Sequence, residues 1–384
     1  MAVRILLVLA AFAVLYSCGQ ASSSPERQEK QGGMEEAKPK QGKEQATVKC
    51  EDFISREAAQ EYFDTRATKA ERAPLDPDDN GQACDEGGYA FGPEPTTPSS
   101  ASTSSQASRS VSGPGASSEV VVAAGDIAAC DSSGDEATAE LLGGIDGTVL
   151  TLGDAAYPRG SVKNFNDCYE PSWGRFKGRT RPTPGNHEYY MKGAKGYFDY
   201  FGDAAGEPGQ GYYSFDLGEW HLLALNSNCQ EVGGCVDGSP QLGWLREDLA
   251  TNNDVACTLA YFHYPLFTSG EKRGPGYPEV KPLWEALYAA GADVVLSAHD
   301  HNYQRFAPQN PEGEADRNRG IRQFVVGTGG ANLYAIVNPI GGVEVYNDET
   351  NGVLKLTLGS KSYKWRFVSA EGEAFTDSGK ASCR

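Results

Sequence analysis

In Val149-Leu-Thr-Leu-Gly-Asp-Ala-Ala-Tyr157 a short apolar run stops at a glycine and an aspartate. The run is too short for a helix and continuous rather than alternating, which is the signature of a strand buried on both faces. The same grammar recurs along the chain. Val120-Val-Val-Ala-Ala124 ends at Gly125-Asp126, Cys257-Thr-Leu-Ala-Tyr-Phe262 ends at His263, and Asp293-Val-Val-Leu296 ends just before His299. Each strand places its polar residue at its C-terminal end, where open α/β sheets hold their ligands. Between these runs, Leu242–Leu249 and Pro282–Ala290 carry helical periodicity. Leu354, Leu356 and Leu358 alternate with polar residues, as do Tyr363, Trp365 and Phe367, and Gly359-Ser360 between them predicts a hairpin. The predicted class is α/β in the α+β sense: a β-sheet sandwich flanked by helices over residues 119–384.

Composition bounds what this domain belongs to. The chain has 384 residues, a length that predicts two or three domains. With 39% hydrophobic and 10% aromatic residues it is not a disordered chain, and 46 glycines with 21 prolines argue against a helical bundle. A net charge of −18 argues against a general nucleic-acid-binding role, because phosphate backbones are held by clustered Lys and Arg.

The N-terminus reads Met1-Ala-Val-Arg4, then an apolar run to Tyr16, then Ser17-Cys18-Gly19. A charged start and an apolar run of about a dozen residues predict a secretory signal peptide over 1–17. Leu15-Tyr16-Ser17-Cys18 resembles a bacterial lipobox, which predicts lipidation of Cys18 and an extracellular or cell-surface protein, a lipoprotein of the bacterial envelope. No later stretch is long and apolar enough to span a bilayer, so a membrane enters only through that anchor. Residues 18–47 read as a disordered stalk of Ser, Glu, Lys, Gln and Gly, and 88–118 as a Ser/Pro/Gly-rich linker. An even number of further cysteines in an exported chain suggests disulfides. Taken in order they pair as Cys50–Cys84, Cys130–Cys168, Cys229–Cys235 and Cys257–Cys383.

Five segments carry the candidate chemistry: Gly125-Asp126, Gly153-Asp154 with Tyr157, Gly185-Asn186-His187-Glu188, Phe262-His263 and His299-Asp300-His301. One aspartate after a strand usually marks a turn or a helix cap. Five such segments, holding four of the five histidines, are a metal constellation. In order and spacing they resemble the calcineurin-like metallophosphoesterases and, within them, the purple acid phosphatase branch, across essentially all of 119–384. The tyrosine after the second aspartate carries the latter likeness. Two positions depart from the pattern: Ala128 stands where many branches have His, and Ala298 where Gly usually precedes the His-x-His.

The resemblance implies two metal ions. One would take Asp126, Asp154, Tyr157 and His301; the other would take Asp154, Asn186, His263 and His299. A carboxylate can bridge two cations, and two metals about 3.5–4 Å apart can bind phosphate oxygens and lower the pKa of a bridging water. A phenolate with carboxylates suits a hard trivalent ion, and imidazole with Asn a borderline divalent one. The implied pair is Fe(III) with Fe(II), Zn or Mn. His187 is assigned phosphate contact or leaving-group protonation. Arg305 is a candidate substrate contact; Arg159, Lys163, Arg175, Lys177, Arg179 and Arg181 form a basic run that reads mainly as a solvated face.

The segment 48–87 is similar to the excalibur calcium-binding domain. Asp76, Asp78, Asn80 and Gly81 have the spacing of the first half of an EF-hand loop. The twelfth position is Gly87, so Asp85 or Glu86 would have to supply the last ligand, and a Cys50–Cys84 bridge would staple so small a module. The expected function is an exported phosphatase that hydrolyses small phosphate monoesters with metal-activated hydroxide. The alternatives are a phosphodiesterase or nucleotidase on the same metal core, with nucleotides as substrates, or a surface-binding protein with an inactive phosphatase fold.

Overall fold

A computed structural model of the protein describes residues 118–270, 276–370, 372 and 374–384. The signal peptide, Cys18, the stalk, the 48–87 module with Asp76, Asp78, Asn80 and Asp85, the Cys50–Cys84 pairing and the linker up to residue 117 lie outside the described residues.

Two sheets form the domain. The six-stranded sheet contains β1 (Glu119–Ala124), β2 (Thr148–Leu152), β3 (Thr180–Thr183), β11 (Gly352–Gly359), β12 (Ser362–Ser369) and β13 (Ser378–Ser382), in the order β13-β12-β11-β1-β2-β3. Strands β1, β2 and β3 are parallel, and β11 joins β1 antiparallel. The seven-stranded sheet contains β4 (Tyr213–Leu217), β5 (Trp220–Ala224), β6 (Cys257–Tyr261), β7 (Val294–Ser297), β8 (Tyr303–Phe306), β9 (Arg322–Val326) and β10 (Val343–Asn347). Its order is β10-β8-β9-β7-β6-β5-β4, with β5, β6, β7 and β9 parallel.

The continuous apolar strands have partners on both faces. Leu222, Leu259, Tyr261, Val294 and Leu296 join the core shared with the six-stranded sheet. Their neighbours Leu223, Ala260, Phe262 and Val295 point the other way, onto α4 (Pro240–Thr251) and α5 (Lys281–Ala290) through Leu242, Leu245, Leu283, Trp284 and Leu287. This two-residue alternation within unbroken hydrophobic runs makes a strand buried on both sides. Rings bridge the sheets: Tyr303 lies 4.5 Å from Phe367, and Phe324 lies 5.9 Å from Trp365. The predicted hairpin is β11–β12, with Gly359 opposite Ser362. On the outer side of the six-stranded sheet, α1 (Gly134–Gly143) buries Ala139 and Leu142.

Disulfides Cys130–Cys168, Cys229–Cys235 and Cys257–Cys383 are present, with Cα separations of 4.9, 5.2 and 5.4 Å. The last links β6 of one sheet to the residues after β13 of the other. Three such bonds fit a protein of an oxidising compartment. Among the described residues no helix is long and apolar enough to cross a membrane.

The fifth histidine has a structural role. His221 on β5 is buried, with Nδ1 2.9 Å from Asp216 Oδ1 and Nε2 2.6 Å from Asp248 Oδ1 of α4. Burial works to lower its pKa, but the bonds to Asp248 and Asp216 outweigh that and raise it above 6.5. A histidine whose folded value is raised stabilises the fold fully below the unfolded value and loses that contribution as pH rises through the folded one. His221→Gln should therefore destabilise the protein by about 1–2 kcal/mol at pH 6. The difference from wild type should shrink steadily toward pH 9 in denaturant titrations. A difference that stays constant from pH 6 to 9 would count against a charged His221.

Candidate metal centre

The candidate ligands sit at the C-terminal ends of parallel strands drawn from both sheets. Asp126, Asp154 and Asn186 follow β1, β2 and β3; His263 and His299 follow β6 and β7, and His301 lies two residues further on. Among the described residues four non-glycine residues have positive φ, and three of them are Asp126 (57°), Asp154 (50°) and His299 (70°). Such backbone is costly for L-residues and persists only where surrounding structure imposes it. Asn186 opens a short helix, α2 (Asn186–Tyr189), immediately after Gly185, and α3 (Lys195–Phe201) follows it. A β-carbon on Gly185 would sit 2.2 Å from Asp154 Oδ1, so only glycine lets this turn approach the aspartate. Ala298 is accommodated for a related reason: its methyl faces Gly125, where a β-carbon would come within 2.5 Å of it.

The seven side chains form two groups around Asp154. In the first, Tyr157 Oη lies 2.8 Å from Asp126 Oδ1, 3.2 Å from Asp154 Oδ2 and 3.1 Å from His301 Nε2. In the second, His263 Nε2 lies 3.2 Å from Asp154 Oδ2, 3.1 Å from Asn186 Oδ1 and 3.0 Å from His299 Nδ1. Ligand atoms of Asp154, His263 and His299 all fall within 4.8 Å of one another.

Two of the imidazoles are oriented by the backbone. His263 donates from Nδ1 to the Leu152 carbonyl at 2.8 Å, and His301 from Nδ1 to the Asn332 carbonyl at 2.6 Å. In the neutral ring each Nε2 is then left as a lone pair aimed at carboxylates, the arrangement of a histidine prepared for a metal. Buried acceptors facing one another repel unless a cation or protons lie between them. The donor set therefore fits two cations that share Asp154.

Electrostatics point the same way. Burial works to raise the Asp154 pKa, but His263 and His187 outweigh it and hold the carboxyl well below the usual range. For His263 burial opposes the charge, yet Asp154 pushes its value up to about 9. Burial and His263 together hold His299 well below its ordinary value. Without metal, a proton on His263 balances part of the negative charge; a divalent or trivalent ion would do so more completely.

His187 is buried between Tyr157 and Tyr190, with ring centroids 4.4 and 4.6 Å away. Its Nδ1 donates to the Pro158 carbonyl at 2.6 Å, which leaves Nε2 on the metal side, 3.8 Å from Asp154 Oδ2. Its backbone N–H donates to Asp154 Oδ1 at 2.9 Å.

Arg305 is placed elsewhere. Its guanidinium donates to Asp377 at 2.7 and 3.2 Å and to Glu344, and lies over the Trp365 ring. Its charge is spent on carboxylates within the sandwich, which removes the sequence-level reason for giving it a phosphate. In the basic run, Arg179 donates to the carbonyls of Leu142 and Gly147, closing the end of α1.

Glu188 and Tyr334 had no role on sequence grounds. The fully buried carboxylate of Glu188 accepts backbone N–H bonds from Asp154, Ala155 and Gly185 at 2.7–2.9 Å, pinning the β2 and β3 turns together. Burial and the charge of Asp154 push its pKa up to about 7. Its only sequence signal was its place beside Asn186-His187. Tyr334 stacks on His301 with centroids 4.0 Å apart and planes 9° from parallel, a contact across 33 residues that left no local pattern.

Comparison with known proteins agrees with this geometry. Residues 120–303 match the calcineurin-like phosphoesterase family. Purple acid phosphatase 23 of Arabidopsis thaliana is 29% identical over 195 residues, 45% of this chain and 40% of that protein. Purple acid phosphatase 1 of Ipomoea batatas is 26% identical over 176 residues, 41% of this chain and 36% of that protein. The chain thus spans about two fifths of the length of these curated relatives. Among solved structures, purple acid phosphatase PPD1 from yellow lupin (Lupinus luteus) seeds superposes with a TM-score of 0.57 at 18% identity, over 70% of this chain and 54% of that one. GAP50, the anchor in the inner membrane complex of Plasmodium, superposes with a TM-score of 0.55 at 15% identity, over 70% and 89%. Residues 120–303 are thus similar to calcineurin-like phosphoesterases, a likeness with which the strand-end ligands and the two-sheet architecture agree, and part of the chain resembles the purple acid phosphatases.

Proposed function

We propose that the protein is an exported hydrolase of small phosphate monoesters, working at a dinuclear metal centre. The observation that carries this reading is the pair of donor groups that meet at Asp154. Asp126, Asp154, Tyr157 and His301 would hold one ion, and Asp154, Asn186, His263 and His299 the other. The phenolate suits Fe(III) and the imidazole-amide set suits Fe(II), Zn or Mn. When bound, such a pair supplies Lewis acidity toward phosphate oxygens and an acidified water.

The chain's own residues do the rest. The backbone carbonyls of Leu152 and Asn332 keep His263 and His301 aimed at the centre, and Glu188 fixes the turns that present Asp154 and Asn186. His187, anchored through Nδ1, presents Nε2 toward the centre, from which its imidazolium form would protonate the departing alcohol oxygen. Burial of the cluster excludes bulk water and strengthens each of these interactions.

Purified protein is expected to cleave an aryl phosphate monoester at least about tenfold faster, in kcat/KM, than the matching diester. A preference for the diester would move the assignment to a phosphodiesterase. No turnover with two metals bound would favour a binding protein on this fold.

The N-terminal readings belong to the same proposal: export, lipid on Cys18, and calcium at Asp76, Asp78, Asn80 and Asp85. Calorimetry on the full chain should record calcium binding that Asp76→Ala removes while hydrolysis persists. Calcium heat unchanged by that substitution would refute the site.

A further inference from the structure

We infer that a cavity lined by α3, α4 and the loop leading into β4 is a second binding site, one that takes an organic ammonium ion with an apolar body. The cavity measures about 550 Å³, within the size range of small-molecule sites, and none of the candidate metal ligands lines it. The inference therefore stands apart from the phosphatase reading.

Rings form much of the wall. Phe198 comes from α3, Trp244 from α4, and Tyr212 stands just before β4. The Tyr212 and Trp244 rings lie 5.0 Å apart with planes at 43°. Trp244 is half-buried: it packs against the core under α4 and also lines the cavity.

The polar groups of the cavity are not spent on the protein itself. Tyr212 is only 7% exposed, yet among the described residues its hydroxyl makes no hydrogen bond. Burial raises the pKa of that phenol, which keeps it neutral and able to accept. A buried hydroxyl is costly to leave without a partner, so the cavity must supply one, water when empty and a ligand's donor when filled. Asp203, Glu207 and Gln210 line the same space, and among the described residues none of their side chains joins an ion pair or hydrogen bond. No Lys, Arg or His lines the cavity.

Two carboxylates without a counter-charge, beside aromatic rings and free acceptor oxygens, suit a cation that also carries an apolar part. Cation–π attraction and charge-assisted N–H···O bonds then act together. A hard metal ion fits poorly, because it needs about six to eight oxygens around it and much of this wall is rings. A neutral sugar would leave both charges uncompensated.

The loop that carries the carboxylates is braced. Gln210 and Gly211 N–H donate to the Glu207 carbonyl at 3.0 and 3.1 Å, and the Asn226 amide donates to the Gln210 carbonyl at 2.9 Å and to Tyr189 Oη at 2.7 Å. Gly211, at φ 67°, lets the loop close onto α3: a β-carbon there would lie 3.2 Å from Asn226 and 3.4 Å from Phe198. A preformed loop loses little freedom when a ligand enters.

The competing account is that these residues only pack α3 and α4 and leave a solvated notch. Calorimetry on the full-length protein separates the two, with benzylammonium and its neutral counterpart benzyl alcohol as probes. Benzylammonium should bind one to one and at least about tenfold more tightly than the alcohol, ~1.4 kcal/mol. The double substitution Asp203→Asn, Glu207→Gln keeps shape and removes charge, and should bring that ratio to within about twofold of one. Trp244→Leu should weaken benzylammonium about fivefold. Tyr212→Phe should weaken it about threefold, with circular dichroism and melting temperature unchanged. No saturable binding, a wild-type ratio near one, or a ratio that survives the double substitution would each overturn the site. Displacement of benzylammonium by an equal concentration of glucose or calcium would also overturn it, by reassigning the cavity to a sugar or a metal ion.

Discussion

Asp154→Asn is expected to strip the protein of both metals and to lower kcat/KM by at least about a thousandfold, some 4 kcal/mol of transition-state stabilisation. The effect follows from position. Asp154 Oδ2 is 3.2 Å from both Tyr157 Oη and His263 Nε2, so one oxygen faces the donors of both groups. Asparagine has the same shape, tolerates the left-handed backbone at φ 50°, and can keep the acceptor for the His187 N–H. The fold should survive, and what is lost is the shared negative charge. Metal analysis beside circular dichroism checks this. A folded Asp154→Asn protein retaining two ions and more than about a tenth of the activity would remove Asp154 from the bridging role.

Tyr157→Phe should abolish colour. A phenolate on Fe(III) gives a visible charge-transfer band that carboxylates and imidazoles do not supply, so the band should vanish completely in the iron-loaded variant. Tyr157 is buried, and phenylalanine fills the same space. Asp126, Asp154 and His301 should still hold a metal, more weakly for lack of the phenolate. The iron-based version of the centre fails if the oxidised, active wild type is colourless or if the band survives the substitution. An active protein containing only zinc or manganese would refute iron while leaving a dinuclear centre in place.

What was readable beforehand has a physical pattern. The strands β1, β2, β6 and β7 were visible because burial on both faces makes them continuous apolar runs, and each ends in its functional residue. The β11–β12 hairpin showed through alternation, and α4 and α5 through helical period. Strand β13, Ser-Gly-Lys-Ala-Ser, exists because β12 offers it backbone partners, and nothing in its side chains says so. Strand β8, Tyr-Gln-Arg-Phe, mixes polar and aromatic residues because Gln304 and Arg305 bond to side chains far away in sequence. The partner of Arg305, Asp377, lies 72 residues downstream, where no local pattern announces it.

The site divides in the same way. Asp126, Asp154, Tyr157, Asn186, His263, His299 and His301 are brought together from strand ends that their local sequence had marked. The contacts that orient them come from the Leu152 and Asn332 carbonyls, Glu188 and Tyr334, which act through backbone groups or across long separations. The departure at Ala298 needed the facing Gly125 to be understood, a pairing across 173 positions.

The most direct test of the dinuclear account is to titrate metal-free protein with metal and follow phosphate-monoester hydrolysis at each step. Two ions should bind per chain, and activity should stay negligible until the second site fills, reaching its maximum at two equivalents. Full activity at one equivalent, or undiminished activity in the metal-free protein, would contradict the account.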